Sequence, residues 1–347
     1  MTLLHDLFDN EGQSPWLDNL RRGWITSGEL QEWIDKGVRG LTSNPSIFQN
    51  AIAGSDDYTE QFTELLNQGS SIEASYWGLV TTDIESALAL LRPTYDASDG
   101  VDGYVSVEVA PGLARDTEGT AAAARQLWDS IDEPNLYVKI PGTAEGIPAI
   151  QQMIAEGRNI NVTLLFSIDR YREVMEAYIA GLEQYSAANP EADLSRISSV
   201  ASFFISRVDK EVDGRLDVIG TPEATELRGK VAIANGVLAY EAFRETFAGA
   251  RWESLAARGA RVQRPLWAST STKDPSYPDT LYVDTLIGPD TVNTLPDATL
   301  VAFLDHGTVA RTIDTDVSGA SDVLASLAAI GVDLDDVTDL LESQGVA

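Results

Sequence analysis

Short runs of mostly apolar residues alternate with longer stretches in which apolar positions recur every three or four residues, and this rhythm carries through most of the 347-residue chain. A short apolar run bounded by turn formers reads as a buried strand, and a period of about 3.6 reads as an amphipathic helix. Eight segments fit the strand pattern: 14–20, 37–44, 103–109, 135–141, 159–166, 197–204, 264–270 and 290–295. Strands separated by helix-length connections pair in parallel. Eight such units in series predict an α/β protein whose sheet closes as a (β/α)8 TIM barrel.

Helices are predicted at 26–36, opened by a Thr26-x-x-Glu29 capping box, and at 167–184, with Ser167 as the N-cap. Gly37 and Gly157 stand where helix C-caps belong. The second and third strands lie farther apart than one helix requires, so the stretch from about 51 to 100 is expected to add helices on the barrel wall. Beyond the last strand, about 297–347 reads as two or three further helices, rich in acid with Arg311 as their one base, packed over an end of the barrel. The expected organisation is therefore one barrel domain over residues 1–347, with a helical insertion and helical C-terminal additions. Barrels of this length commonly form one domain.

Composition narrows the chemistry. There are no cysteines, which excludes disulfides and thiolate metal sites, and the two histidines, His5 and His306, cannot supply a three-histidine zinc centre. An excess of 54 acids over 24 bases gives a formal charge of -30, which repels nucleic acid and anionic membranes. No run of about 18 apolar residues occurs, and the first fifteen residues carry acids rather than the apolar core of a leader. A soluble cytoplasmic protein without nucleic-acid or membrane partners is expected, and monomer and homodimer are both compatible with it. Only five bases are lysines, and an acidic, lysine-poor surface suits a salt-rich cytosol.

One of those lysines, Lys139, interrupts the apolar strand Leu136-Tyr137-Val138-Lys139-Ile140-Pro141, whereas the others lie in polar or helical stretches. Burial penalises an ammonium and favours the neutral amine, which attacks carbonyl carbon. The competing reading is a structural lysine paired with an acid inside the barrel. If the strands close in chain order, the C-terminal face gathers Asp18, Asn44, Glu108, Asn161, Thr163, Ser202, Arg207 and Ser269 around Lys139. Polar residues at the equivalent place in so many apolar strands are costly unless they serve a site.

An amine with two carboxyls suits aldol chemistry, in which a hydroxyl proton is removed while an iminium accepts electrons. Each residue also has a structural alternative: Asp18 capping a turn, Glu108 in an ordinary ion pair with Lys139, and Asn44 in a turn before Pro45. Arg207 and Lys273 offer cations for phosphate in a protein otherwise so acidic, or else pair with Asp209 and Asp274. Asp18 and Glu108 alone would also serve a glycosidase, a reading that leaves Lys139 without purpose. A barrel that binds sugar phosphates without catalysis is a third reading.

Five segments carry a family resemblance. Gly40-Leu41-Thr42-Ser43-Asn44-Pro45-Ser46 and Tyr137-Val138-Lys139-Ile140-Pro141-Gly142-Thr143 with Gly146-Ile147 resemble the transaldolase signature and its Schiff-base segment. Asn159 to Ser167 and Ala201 to Arg207 with Asp209 are similar to its fifth and sixth strands, and Trp267 to Lys273 resembles the longer bacterial members. The resemblance spans roughly 14–296. It implies Lys139 as imine-forming nucleophile, Asp18 as acid/base, and Glu108 with Thr163 around a proton-relaying water. Asn44 and Asn161 would hold hydroxyls of a dihydroxyacetone unit, Ser202 would line the pocket, and Ser269 with Arg207 would bind phosphate. Shorter transaldolases carry a second phosphate-binding arginine after the strand-seven serine. Here Lys273 or Ser271 stands in its place. The implied reaction moves dihydroxyacetone from sedoheptulose 7-phosphate to glyceraldehyde 3-phosphate in the non-oxidative pentose phosphate pathway, with no cofactor or metal. The sister activity is that of a fructose 6-phosphate aldolase.

Overall fold

The computed structural model describes residues 1–346. Eight strands, β1 (Gln13–Leu17), β2 (Leu41–Thr42), β3 (Val105–Glu108), β4 (Leu136–Pro141), β5 (Ile160–Leu165), β6 (Ser199–Phe204), β7 (Arg264–Ala268) and β8 (Thr291–Leu295), form a closed barrel in chain order. All pairings are parallel, and β8 returns to β1 with Gln13 opposite Thr291 and Leu17 opposite Leu295. Every expected strand is present. β2 is the shortest, and after two more residues Pro45 starts the helix Pro45–Ala53, with the Asn44 side chain capping it by accepting from Ile47 N at 2.9 Å.

Alternation along the strands produces two separate apolar layers. Outward side chains such as Val105, Val138, Ile140 and Val162 pack beneath the surrounding helices. Inward side chains Trp16, Tyr104, Tyr137, Val200, Leu266 and Val292 fill the barrel interior, with Tyr104 and Tyr137 stacked at 4.1 Å. Gly40 is required here, because a Cβ would collide with the Trp16 indole. Below these rings, fully buried Asp102 accepts from Arg39 Nε at 2.7 Å, Ser14 Oγ at 2.8 Å and Arg264 Nη2 at 3.0 Å. The barrel is therefore plugged at its N-terminal end, which leaves the C-terminal face as its open mouth.

Between β2 and β3 the chain forms the helices Pro45–Ala53, Thr59–Asn67 and Ile72–Ala97. Beyond β8 it forms Asp297–His306, Val317–Ala329 and Leu334–Val346. Ser167 accepts from Arg170 N at 3.1 Å as the expected cap. Its helix, Ile168–Ala188, runs past 184 because no breaker intervenes before Asn189-Pro190. The helix expected at 26–36 is instead two: Arg22–Ser27 and Glu29–Asp35, broken at Gly28, whose φ of 88° leaves the helical region. Thr26 lies inside the first helix with its hydroxyl bonded back to Arg22 O at 3.2 Å, so the capping box with Glu29 does not form. Among the described residues no single helix is long and apolar enough to cross a membrane.

Candidate active site

The rule that places aromatics inside the barrel also places the polar groups above them. Asp18 follows Trp16 by two positions, Lys139 follows Tyr137, Thr294 follows Val292 and Ser202 follows Val200, so each points inward one layer higher. They line a cavity of about 300 Å³ at the C-terminal face together with Thr42, Asn44, Glu108, Thr163, Phe204, Arg207, Ser269, Ser271 and Lys273. Adjacent strands bring the key pair together, because Glu108 on β3 is the register partner of Lys139 on β4.

Lys139 is only 6% exposed, and its Nζ lies 3.0 Å from Glu108 Oε2 while donating to Ser43 O at 3.1 Å. The amine is thus pinned between a carboxylate and a backbone carbonyl, its remaining face toward the cavity. Asp18 Oδ1 accepts from the Thr42 hydroxyl at 2.7 Å, and Thr42 lies 2.6 Å from the Thr294 hydroxyl. Burial pushes the Asp18 carboxyl above its ordinary range, opposed by the Thr42 hydrogen bond and the Lys139 charge and reinforced by Glu108. Two carboxyls in one cavity with different surroundings are suited to different proton-transfer roles.

Asn161 stands apart from the other expected residues. It is fully buried one layer down, its Oδ1 accepting from Ser202 Oγ at 2.7 Å and its Nδ2 donating to Ser106 Oγ at 3.0 Å. It is nonetheless the register partner of Lys139 on β5. The other expected residues all line the cavity.

The opposite rim is cationic. Arg207 sits over the Phe204 ring at 5.0 Å, and Lys273 donates to Ser271 Oγ at 2.7 Å. The acids proposed as their structural partners are engaged elsewhere: Asp209 accepts from Tyr282 and Ala232, and Asp274 from Arg228 and Ser276. The Arg207–Asp209 pairing fails because residues two apart on a helix do not face each other. Burial and the neighbouring Arg207 and Lys210 charges hold the Lys273 ammonium below its ordinary range. Such a set, with the Ser269 and Ser271 hydroxyls lining the same cavity, is suited to holding an anion.

Thr42, Thr294 and Phe204 were not singled out from sequence, although the alternation that located Asp18 and Ser202 applies equally to them. Gly345, in the C-terminal helix, also lines the cavity beside Leu164, and no sequence signal placed it there. Leu164 and Ser269 adopt φ of 61° and 57°, unusual for residues with side chains, and both border the cavity. At Leu164 the β5–β6 register shifts, which turns the end of β5 toward the mouth. Among the described residues no group of three or more metal-ligating side chains forms a cage.

The sequence matches the Transaldolase/Fructose-6-phosphate aldolase family over residues 15–347. It is 54% identical to a transaldolase of Parafrankia sp. (strain EAN1pec) over 337 residues, covering 96% of this chain and 91% of that protein. A transaldolase of Thermobifida fusca (strain YX) is 53% identical over 337 residues, with 96% and 91% covered. One of Mycobacterium bovis (strain BCG / Pasteur 1173P2) is 51% identical over 338 residues, with 96% and 90% covered.

Proposed function

The chain belongs to the transaldolase/fructose-6-phosphate aldolase family, and on that premise we propose that it is a transaldolase working through a Schiff base on Lys139. It is a transferase that moves a dihydroxyacetone unit from sedoheptulose 7-phosphate to glyceraldehyde 3-phosphate, giving erythrose 4-phosphate and fructose 6-phosphate in the non-oxidative pentose phosphate pathway. The relatives carry the name transaldolase, so the fructose 6-phosphate aldolase reading is not favoured.

The observation that carries the mechanism is the Lys139 amine, enclosed in the barrel 3.0 Å from Glu108, in a cavity shared with Asp18. Nζ adds to C2 of the ketose, and Glu108, with a water near Thr163, passes the amine proton to the carbinolamine hydroxyl, which leaves as water. Asp18 then takes the C4 hydroxyl proton. The C3–C4 bond breaks, its electrons flow to the iminium, and the phosphorylated aldose departs, leaving an enamine on Lys139. The enamine carbon attacks the acceptor aldehyde, Asp18 returns the proton to the new alkoxide, and water releases the product ketose. Asn44 holds a hydroxyl of the three-carbon unit, and Ser202 lines the same pocket, oriented from behind by its hydrogen bond to Asn161. Arg207, Ser269 and Lys273 take the phosphate. The iminium is the electron sink, so the scheme calls for no cofactor or metal. Sugar phosphates are its small-molecule partners, and since such substrates do not cross membranes unaided, a cytoplasmic location suits this reading.

Borohydride reduction in the presence of fructose 6-phosphate, followed by peptide mass spectrometry, tests this reading. A three-carbon adduct is expected on the peptide containing Lys139 and absent from Lys139→Met. An unmodified peptide, or sugar exchange persisting in Lys139→Met at a comparable rate, would refute it. Release of free dihydroxyacetone without dependence on an acceptor aldehyde would mark the aldolase instead.

A further inference from the structure

The two cations of the anion-binding end come from different elements: Arg207 from the first turn of the helix Ser206–Ile219, and Lys273 from the irregular segment that follows β7. That segment, 269–280, forms no helix or strand, and Lys273 within it is repelled by Arg207 and Lys210. Both cations line one cavity, so whatever fastens this segment to the helix sets their separation.

Two carboxylates one turn apart on the Arg207 helix reach across the gap. Asp209, 1% exposed, accepts from the Tyr282 hydroxyl at 2.8 Å and from Ala232 N at 2.7 Å. Asp213, 7% exposed, accepts from the Tyr277 hydroxyl at 2.6 Å and from Gly229 N at 3.2 Å. Each carboxylate thus ties three parts together: Asp213 joins the Arg207 helix to Gly229 in the turn before the helix Val231–Thr246 and to Tyr277 in the irregular segment, and Asp209 joins it to the first turn of Val231–Thr246 and to Tyr282 in the short helix Leu281–Asp284 that follows the segment. The four-residue spacing puts both on one helix face, turned away from Arg207. The near side is fixed independently by Ser206 N to Ser269 O at 3.0 Å and the Ser206–Ser269 hydroxyl contact at 2.9 Å. The segment carrying Lys273 is therefore anchored at both ends on the helix that carries Arg207. Burial pushes the Asp209 carboxyl up to about 6, a cost for a charged group that serves only packing.

We propose that Asp209 and Asp213 are positioning residues which, by gripping Tyr282 and Tyr277, hold Lys273 opposite Arg207 and so favour phosphorylated over unphosphorylated sugars. The proposal rests on the transaldolase reading of the cavity. The carboxylates touch no substrate. No hydrogen bond of the network reaches Lys139, Asp18 or Glu108, so they act chiefly on the phosphate end, the charge of Lys273 being the one link to Asp18.

The test uses the full chain with Tyr277→Phe and Tyr282→Phe, singly and together, each removing one hydroxyl and leaving the ring. Tyr277 is only half-buried, so its variant remains informative if the Tyr282 variant folds poorly, and circular dichroism melting checks each. The KM for fructose 6-phosphate should rise ~10-fold per hydroxyl, the scale of one lost hydrogen bond to a charged group. kcat should change far less, and borohydride trapping of unphosphorylated dihydroxyacetone on Lys139 should match that of the unaltered protein. An unchanged KM in folded variants, or equal losses with both substrate classes, would overturn the proposal. Failure of the unaltered protein to form any Lys139 adduct would instead strike the transaldolase reading.

Discussion

Asp18 and Glu108 share a cavity with Lys139, yet only Glu108 touches the amine, and only Asp18 leans on a hydroxyl. That difference makes their roles separable by pH. In the proposed mechanism Asp18 must be ionised to take a proton from the sugar, and burial raises its pKa, so activity is expected above that raised value and lost as pH falls through it. Thr42 stabilises the ionised form. Thr42→Val should therefore move the acid limb of the kcat/KM profile to higher pH, whereas a limb that stays put or moves down would exclude Asp18 as the titrating group. Asp18→Asn should lower kcat by ~10²–10⁴-fold, the usual worth of a positioned general acid/base. Much of this layer was legible beforehand, because a charged residue in an apolar strand is conspicuous. Thr42 and Thr294 were not, since threonine is at home in any strand and on its own flags little; Thr163 stood out only beside Asn161 in the same strand. Asn161 was found by the same logic as its neighbours, but its depth depends on which side-chain layer of the closed barrel it occupies, and a linear pattern does not encode that.

At the level of elements, strands were read well and helix ends less so. An apolar run bounded by turn residues survives tertiary context, because it must be buried on both faces of the barrel wall. The Thr26-x-x-Glu29 signal did not survive, because Gly28 between the two residues adopts a φ that splits the helix. Nor did the sequence foretell that residues beyond β7 would be fastened by tyrosines to carboxylates on a helix some sixty positions earlier, since such pairs are set only when the barrel closes. The plugged end depends on a group of the same kind. Asp102 is fully buried; burial raises its carboxyl, but Arg264 and Arg39 outweigh this and hold it below the ordinary range. Its stabilising contribution is thus present above the unfolded-state pKa and lost as pH falls through the lowered folded value. Asp102→Asn should destabilise the protein by about 3–5 kcal/mol in urea unfolding, leaving two guanidinium groups short of a charge. Trapping of the adduct on Lys139 should persist in whatever fraction remains folded, and a near-zero change in stability would mean the network contributes little.

For the whole molecule, the charge of -30 is the dominant long-range fact. Many arginines are already committed to acids, as Arg251 is to Glu176 at 2.7 Å and Glu183 at 2.8 Å, so they soften local repulsion without changing the overall sign. Arg207 and Lys273 stand together instead at the cavity, with Lys210 near enough to act on Lys273, a positive spot on a negative body suited to attracting an anion. Self-repulsion of the remaining surface should ease as salt shortens the screening length from about 10 Å at 0.1 M to about 3 Å at 1 M. The urea midpoint is accordingly expected to rise over that range, and a flat response would dismiss adaptation to a salty cytosol. The aromatic and arginine plug beneath the chemistry has its own consequence. A vessel sealed at the bottom has one doorway, so the aldose released from the donor must leave through the same opening by which the acceptor arrives. The two visitors take turns, and the three-carbon fragment waits alone between them.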